Sequence, residues 1–360
     1  MRIAYVINSV EGGGAAAPVP AITRVMRDQG AEVRVFALDR RDGRALPAME
    51  AAGLAPLVRP GGRHDHNAAL GWLARETHAW GATHLWTSLT RATILGLLLA
   101  GRRGLPTICW QHAAFLKTGN RIALRALESR ARLWVADSDC VAKLTRQRLH
   151  VSEDRLVTWP IFAADPAAPV ATPWHEGEPL RIGSLGRLHP VKGYDVLVAA
   201  MAQLRREGFT PAAPIELTIA GEGAERAALT RQIAAHGLDD VIRLPGFVPD
   251  PRTFLAGLHL YVQPSRSEGF CIAMHEAMQA GLPVIASAAG EMPNSVISGA
   301  TGEIVPAADT AQLAAALRQL LGKPERLVLM GSAARARVLE RYSRENFVAA
   351  GKAIMKRIAH

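Results

Sequence analysis

The sequence predicts an α/β protein built as two Rossmann-like domains that face one another across a cleft. Short β-branched runs alternate with longer helical patterns from end to end, which is the signature of βα units and parallel sheets. A proline-dense seam divides the chain near its middle, and each side of it starts again with a strand and a glycine-bearing turn. The length agrees. At 360 residues, with 49% hydrophobic and 21% charged side chains, the chain suits two cores of roughly 150–200 residues each.

In order, the expected strands of the first half are Arg2–Ile7, Val33–Leu38, His84–Thr87, Thr107–Trp110 and Leu133–Ala136. Those of the second half are Leu180–Leu185, Ile215–Ala220, Val241–Leu244, Leu258–Gln263 and Pro283–Ala286. Helical patterns at Asp195–Glu207, Ala224–His236 and Thr310–Leu321 lie between them. From Trp159 to Pro179 the chain holds five of its 22 prolines in 21 residues, a density that neither a helix nor a central strand tolerates. The expected division is therefore 1–165 for a first Rossmann-like domain and 166–345 for a second. Residues 346–360 are expected to form a helix packing back toward the first domain. Ligands of such folds sit at the carboxyl ends of the strands.

Composition narrows the class. The longest strongly apolar run, Ala92 to Gly101, is ten residues, about half of a membrane span. Met1–Ile7 lacks the long apolar region of a signal peptide and reads as a strand. Cys109, Cys140 and Cys271 are too widely spaced for a disulfide framework or a zinc site. A reduced, cytoplasmic, enzyme-sized protein is the expectation.

The net charge of +10 is uneven. Residues 1–170 carry 22 basic and 14 acidic side chains, and residues 171–360 carry 20 and 18. A basic first half points either to a polyanionic partner, nucleic acid or an anionic membrane surface, or to an Arg-rich solvated surface. Within Phe115–Leu127, Lys117, Arg121 and Arg125 interleave with Ile122, Leu124 and Leu127, and Arg130, Arg132 and Leu133 follow. This amphipathic basic pattern fits a helix on a membrane interface, and equally a core-packed helix with a wet face.

Two loops carry the chemistry. In Pro264-Ser265-Arg266-Ser267-Glu268-Gly269-Phe270-Cys271-Ile272, an apolar strand ends, Gly269 permits a tight turn, and a helix opens. The unpaired N–H groups and positive end of that helix suit a phosphate. Glu276, two turns into the helix, is placed to accept two ribose hydroxyls, and Glu268 on the loop to bind hydroxyls beyond the phosphate. In Gly183-Ser184-Leu185-Gly186-Arg187-Leu188-His189-Pro190-Val191-Lys192-Gly193-Tyr194, a strand and a glycine turn set two cations at a strand end. Arg187 can fork onto phosphate oxygens and Lys192 act as a point charge, stabilising a diphosphate leaving group.

The pairing of G-R-L-H-P-V-K-G-Y-D-V-L with S-E-G-F-C-I-A-M-H-E-A-M-Q-A-G-L-P-V-I-A-S resembles glycosyltransferase family 4, whose members are retaining, GT-B-fold, nucleotide-sugar-dependent enzymes. The likeness extends to Leu217–Gly223, Leu244–Val248 and Gly299–Gly302, and Glu268 and Glu276 stand at the family's E-x7-E spacing. It implies that Gly186, Gly221 and Gly223 line the donor pocket, with Arg187 and Lys192 on the diphosphate. Glu268 would hold the donor sugar, Glu276 the ribose, and the backbone of Gly269, Phe270 and Cys271 would assist. In the first half it implies a role for Gly13 and Gly14 near donor phosphate and acceptor, and for His112 toward the transferred sugar. Catalysis would rest on His112, Arg187, Lys192 and Glu268, without metal or other cofactor. The acceptor, a glycan or a lipid-linked glycan, would dock on the basic first domain around Lys117, Arg121, Arg125 and Arg130. Work at the inner face of the cell membrane would follow.

The chain departs from the family pattern at several places. Cys271 replaces a usual glycine, Gly290-Glu291 a glycine pair, and Asn294 a Glu. Ala113 replaces an acidic residue, and Trp159-Pro160-Ile161-Phe162 an Asn-Gly. Asp137-Ser138-Asp139 fits a D-x-D metal motif, but it ends a strand and starts a helix, where Ser and Asp serve as caps. A nucleotide-sugar epimerase would use the same pocket with an added acid/base pair. A basic nucleic-acid-binding protein lacks a recognition motif here. A nicotinamide oxidoreductase is disfavoured by G-G-G at Gly12–Gly14 in place of G-x-G-x-x-G.

Overall fold

The computed structural model describes residues 1–112 and 116–359. The chain divides into two compact units, Met1–Phe162 with Glu345–His360, and Ala163–Arg344. The division falls inside the proline-rich stretch.

The first unit holds a seven-stranded parallel sheet. Its strands are β1 (Arg2–Ile7), β2 (Glu32–Ala37), β3 (Leu57–Val58), β4 (His84–Ser88), β5 (Thr107–Gln111), β6 (Leu133–Ala136) and β7 (Leu156–Thr158). They lie in the order β3-β2-β1-β4-β5-β6-β7. The second unit repeats the plan with β8 (Leu180–Leu185), β9 (Ile215–Ala220), β10 (Ile242–Arg243), β11 (Leu260–Gln263), β12 (Val284–Ser287) and β13 (Gly302–Val305), ordered β10-β9-β8-β11-β12-β13. In each sheet the order reverses between the first and fourth strands. Loops leaving those two strands part to opposite sides, which opens a crevice at their carboxyl ends.

Central strands are buried on both faces, so they read as continuous apolar runs such as Leu-Tyr-Val at β11. Helices cover both faces. Tyr194–Arg206 and Thr310–Leu321 pack Leu197, Met201, Leu204, Leu313, Leu317 and Leu320 into one core with Leu217, Ile219 and Val262. In the first unit, Trp159 lies fully buried just after β7. Its ring stacks on Trp110 at 4.9 Å between centroids, and its indole N–H donates to the Phe347 carbonyl at 2.9 Å. The terminal helix Arg344–Ala359 is thereby anchored to the first unit's sheet. Trp159 opens the stretch expected as a linker, yet it belongs to a core, because an indole with its N–H satisfied gains more by burial than a loop residue would.

No helix among the described residues is long and apolar enough to cross a membrane. The basic pattern around Arg121 forms a helix at Thr118–Leu127, followed by a 3-10 turn at Glu128–Arg130. Phe115 and Ala113 lie outside the described residues. Leu133 belongs to β6, not to the amphipathic helix, and Ile122 is 63% exposed beside Arg121 and Arg125 instead of facing the core. Leu124 is the buried position, and three residues per turn and a fraction place Ile122 well away from it.

Trp159→Ala is expected to cost about 3–5 kcal/mol, since the cavity left between Trp110 and the terminal helix cannot collapse fully. Urea unfolding followed by circular dichroism measures it; a loss under about 1 kcal/mol would contradict this account.

Candidate functional site

The site in the second unit is assembled from the two loops that leave β8 and β11, the strands on either side of the reversal in strand order. After β8 the chain passes Gly186 and Arg187 and forms a 3-10 turn at Pro190–Lys192, closed by Gly193 at φ +68°. A Cβ at Gly193 would lie 2.1 Å from the Pro264 carbonyl oxygen, so only glycine lets the two loops touch here. Gly221, at φ +143° after β9, faces the same limit, with the Gly186 carbonyl 1.9 Å from where its Cβ would stand.

The loops are then fastened by side chains. Arg266 forks onto Asp195 with contacts of 2.7 and 2.6 Å, and donates to the Pro190 carbonyl at 2.7 Å. Its own N–H donates to the Val191 carbonyl at 2.8 Å. With this scaffold in place, Lys192 Nζ meets Glu268 Oε1 at 2.6 Å. The same oxygen accepts from Ser265 Oγ at 2.7 Å and from Gln263 Nε2 at 3.4 Å. Gln263 Oε1 accepts from the buried Tyr261 hydroxyl at 2.8 Å.

Burial works against the charge on Lys192, but Glu268, with its direct hydrogen bond, outweighs it and holds the ammonium above the ordinary lysine pKa. Arg187 stands exposed at the strand end, close enough for its charge to act against that of Lys192. Cys271 adopts φ +66° as the residue that caps the helix Ile272–Gln279, and burial pushes its thiol pKa well up. Gly290 turns at φ +59° beneath the Glu268 and Gly269 carbonyls. The Glu291 N–H donates to the Gly269 carbonyl at 2.9 Å. Glu291 itself is buried against Arg341 at 2.7 Å and takes a 3.2 Å bond from Asn294, so these two departures from the family pattern support the loop from below.

Glu276 lies half-buried on the helix Ile272–Gln279 with its pKa raised to about 7 by desolvation, against the opposing charge of Arg252. It does not share the Lys192–Glu268 contact. Beside it His275 is fully buried and stacked on Phe270 with 4.0 Å between rings. Its ring nitrogens contact the Cys271 carbonyl at 2.9 Å and Ser295 Oγ at 2.8 Å. Burial lowers its pKa to about 3, so it holds the helix start as a neutral ring.

In the first unit, polar groups gather at the carboxyl ends of β1, β4, β5 and β6. Asn8 Oδ1 accepts from the Ala92 N–H at 2.7 Å, and Gly12 N–H donates to Asp42 Oδ1 at 3.0 Å. The Gly13 carbonyl accepts from Ala16 and Ala17 at 3.2 and 3.1 Å, which folds the glycine loop with Gly14 into a turn before the helix Val19–Asp28. His112, just past β5, contacts Ser88 Oγ through Nε2 at 2.7 Å.

Superposed on solved structures, the whole chain matches Anabaena Alr3699/HepE in complex with UDP and glucose. The TM-score is 0.84 at 19% identity, covering 100% of this chain and 99% of that one. The chain has the GT-B fold.

Within this GT-B chain, residues 172–337 match the family model described as glycosyl transferases group 1. The lipopolysaccharide core biosynthesis mannosyltransferase LpcC of Rhizobium leguminosarum is 33% identical over 165 residues, 46% of this chain and 47% of that protein. This chain thus spans about half the length of that relative. The D-inositol 3-phosphate glycosyltransferase of Thermobispora bispora is 28% identical, over 90% of this chain and 85% of its own.

Of the residues singled out in the sequence, the GT-B structure joins Lys192 and Glu268 directly and sets Arg187, Gly186, Gly221, Gly269, Phe270 and Cys271 around them. Gly223 packs against Leu188, where a Cβ would lie 2.2 Å from its carbonyl oxygen. Lys117, Arg121 and Arg125 are exposed, Arg125 reaching His150 at 3.2 Å, while Arg130 lies over Gly101. Sequence reasoning misses the fastening role of Arg266 and Asp195 and the support from Gln263, Ser265 and Tyr261. Arg266 and Asp195 do sit inside the two motif loops, but nothing in the spacing pairs them.

Arg266→Ala is expected to change global stability by no more than about 1 kcal/mol, the range of a partly exposed ion pair. It should nonetheless speed amide hydrogen exchange across 264–271 by about tenfold or more, because the loop loses its tie to Asp195 and Pro190. Exchange at the wild-type rate in that segment would remove Arg266 from the scaffold.

Proposed function

We propose that this protein is a retaining, metal-independent glycosyltransferase of family 4 that moves a sugar from a nucleotide-sugar to a hydroxyl of a cell-surface glycan or lipid-linked acceptor. The observation that carries the reading is the Lys192–Glu268 contact at the switch point of the second sheet, beside the start of the helix Ile272–Gln279. A cation and helix N–H groups suit a diphosphate, and an acid one step outward suits a sugar's hydroxyls. The resemblance in the motif loops and the names of the relatives support it.

On this reading Arg187 and Lys192 take up the charge that develops on the nucleoside diphosphate as the glycosidic bond breaks. An incoming diphosphate shares Lys192 with Glu268, whose carboxylate turns to the sugar. Glu276 accepts the ribose hydroxyls, and His112 with the Gly12–Gly14 loop serves the sugar and the acceptor. The transition state has oxocarbenium character, and same-face attack assisted by the leaving diphosphate accounts for retention without a carboxylate nucleophile. The exposed cations Lys117, Arg121, Arg125 and Arg130, with Ile122 protruding among them, form the docking face for an acceptor at an anionic membrane.

Thermal-shift screening against UDP-, GDP-, ADP- and CMP-sugars is expected to select one base, with the shift lost in Arg187→Ala and Lys192→Ala. A protein stabilised by none of them would sink the proposal.

Because the Glu276 carboxyl has a pKa of about 7, and the ribose binds its ionised form, affinity for a nucleotide-sugar should rise about tenfold between pH 6 and pH 8. The sugar-bearing diphosphate does not titrate there, so Glu276→Gln should bind weakly with a flat profile. Calorimetry at three pH values decides it. In the unliganded protein the sign is opposite: the raised pKa favours folding at pH below about 4.5, and that contribution is lost as pH rises through about 7.

A further inference from the structure

Asp137-Ser138-Asp139 follows β6, and the sequence alone assigns it to capping. Ser138 does cap the helix Asp139–Leu149, its Oγ accepting from the Val141 N–H at 3.2 Å. Asp137 faces elsewhere. In the parallel register Gln111 pairs with Ala136, and one residue further the side chains of His112 and Asp137 turn to the opposite face. Ser88, paired with Trp110 on the neighbouring strand, shares that face. Three adjacent strand ends therefore present Ser88, His112 and Asp137 in a row. His112 Nε2 lies 2.7 Å from Ser88 Oγ, and Nδ1 lies 3.5 Å from Asp137 Oδ2. The ring rests on Trp110, stacked at 5.5 Å between centroids, and the His112 and Asp137 side chains are only 7% and 3% exposed.

We propose that Asp137 is a positioning residue for His112. Its carboxylate selects the tautomer protonated at Nδ1 and, with Ser88, holds the imidazole in one orientation at the carboxyl ends of the strands. This rests on the reading of His112 as the residue that serves the transferred sugar.

A neutral imidazole carries one proton, on Nδ1 or on Nε2. If Nε2 carries it, the Nδ1 lone pair faces a buried carboxylate, and two acceptors confront each other in a poorly solvated space. If Nδ1 carries it, the proton lies on the side of the Asp137 carboxylate, a charge contact at 3.5 Å without a formed hydrogen bond, and the Nε2 lone pair accepts the Ser88 hydroxyl proton at 2.7 Å. Among the described residues Nδ1 makes no hydrogen bond, and the charge that faces it is the Asp137 carboxylate at 3.5 Å. A buried acid behind a histidine does this in catalytic sites of unrelated folds.

The test uses the full-length chain labelled with 15N-histidine, with the His112 signal identified by its loss in His112→Gln. The wild type is expected to show Nδ1–H and an unprotonated Nε2 at neutral pH. Asp137→Asn should move His112 toward the Nε2–H tautomer, whereas Ser88→Ala should keep Nδ1–H. A wild type protonated at Nε2 overturns the proposal, and this reading needs no variant at Asp137 to fold. An Asp137→Asn spectrum that matches wild type overturns it equally.

Release of nucleoside diphosphate from UDP-glucose and GDP-mannose supplies the second readout. Where the wild type turns one of them over, Asp137→Asn should lower kcat, counted per folded molecule by circular dichroism, about tenfold or more with KM within about twofold. Unchanged kcat overturns the positioning role. If the wild type turns over neither and no nucleotide-sugar of the thermal-shift screen stabilises it, the glycosyl-transfer reading falls, and the tautomer still decides the assignment of Asp137.

Discussion

The second unit is organised around a single charge contact, Lys192 on Glu268, between loops 76 residues apart in sequence. Neither partner is easily buried, and removing one would leave the other charged in a half-dry loop, which is more costly than keeping both. The pair is therefore as well supported as it is close. Ser265 and Gln263 share the carboxylate oxygen that receives Lys192, and Arg266 with Asp195 clamps the loops just behind. Gly193 lets the two backbones meet, since any side chain there would strike the Pro264 carbonyl.

The first unit uses its strand ends in a different way. It keeps Ser88, His112 and Asp137 in a buried row on one face, over a floor made by Trp110. That floor continues through Trp159 to the terminal helix, so the packing that seats Arg344–Ala359 also backs the His112 ring. Stability and site geometry thus share one aromatic cluster.

Most strands are legible in the amino-acid sequence. β1, β6, β8 and β9 have the limits that their apolar runs mark, because buried parallel strands need uninterrupted β-branched and aliphatic residues. The short edge strands β3, β7 and β13 are not legible in that way. Two to four residues carry no periodicity, and each is held by a neighbour's backbone more than by its own composition. Trp159 misleads for the opposite reason: the prolines around it announce a linker, while its indole has a core to enter.

By itself the sequence determined the alternation of strands and helices, and it marked the cations, acids and glycines of two strand-end loops, since these follow from side-chain chemistry and local spacing. Tertiary structure alone decided which of them meet. Lys192 finds Glu268, Arg266 finds Asp195 and His112 finds Asp137 because parallel strands separated by whole helices end side by side, and a partner chosen by sheet order leaves no trace in the spacing between residues.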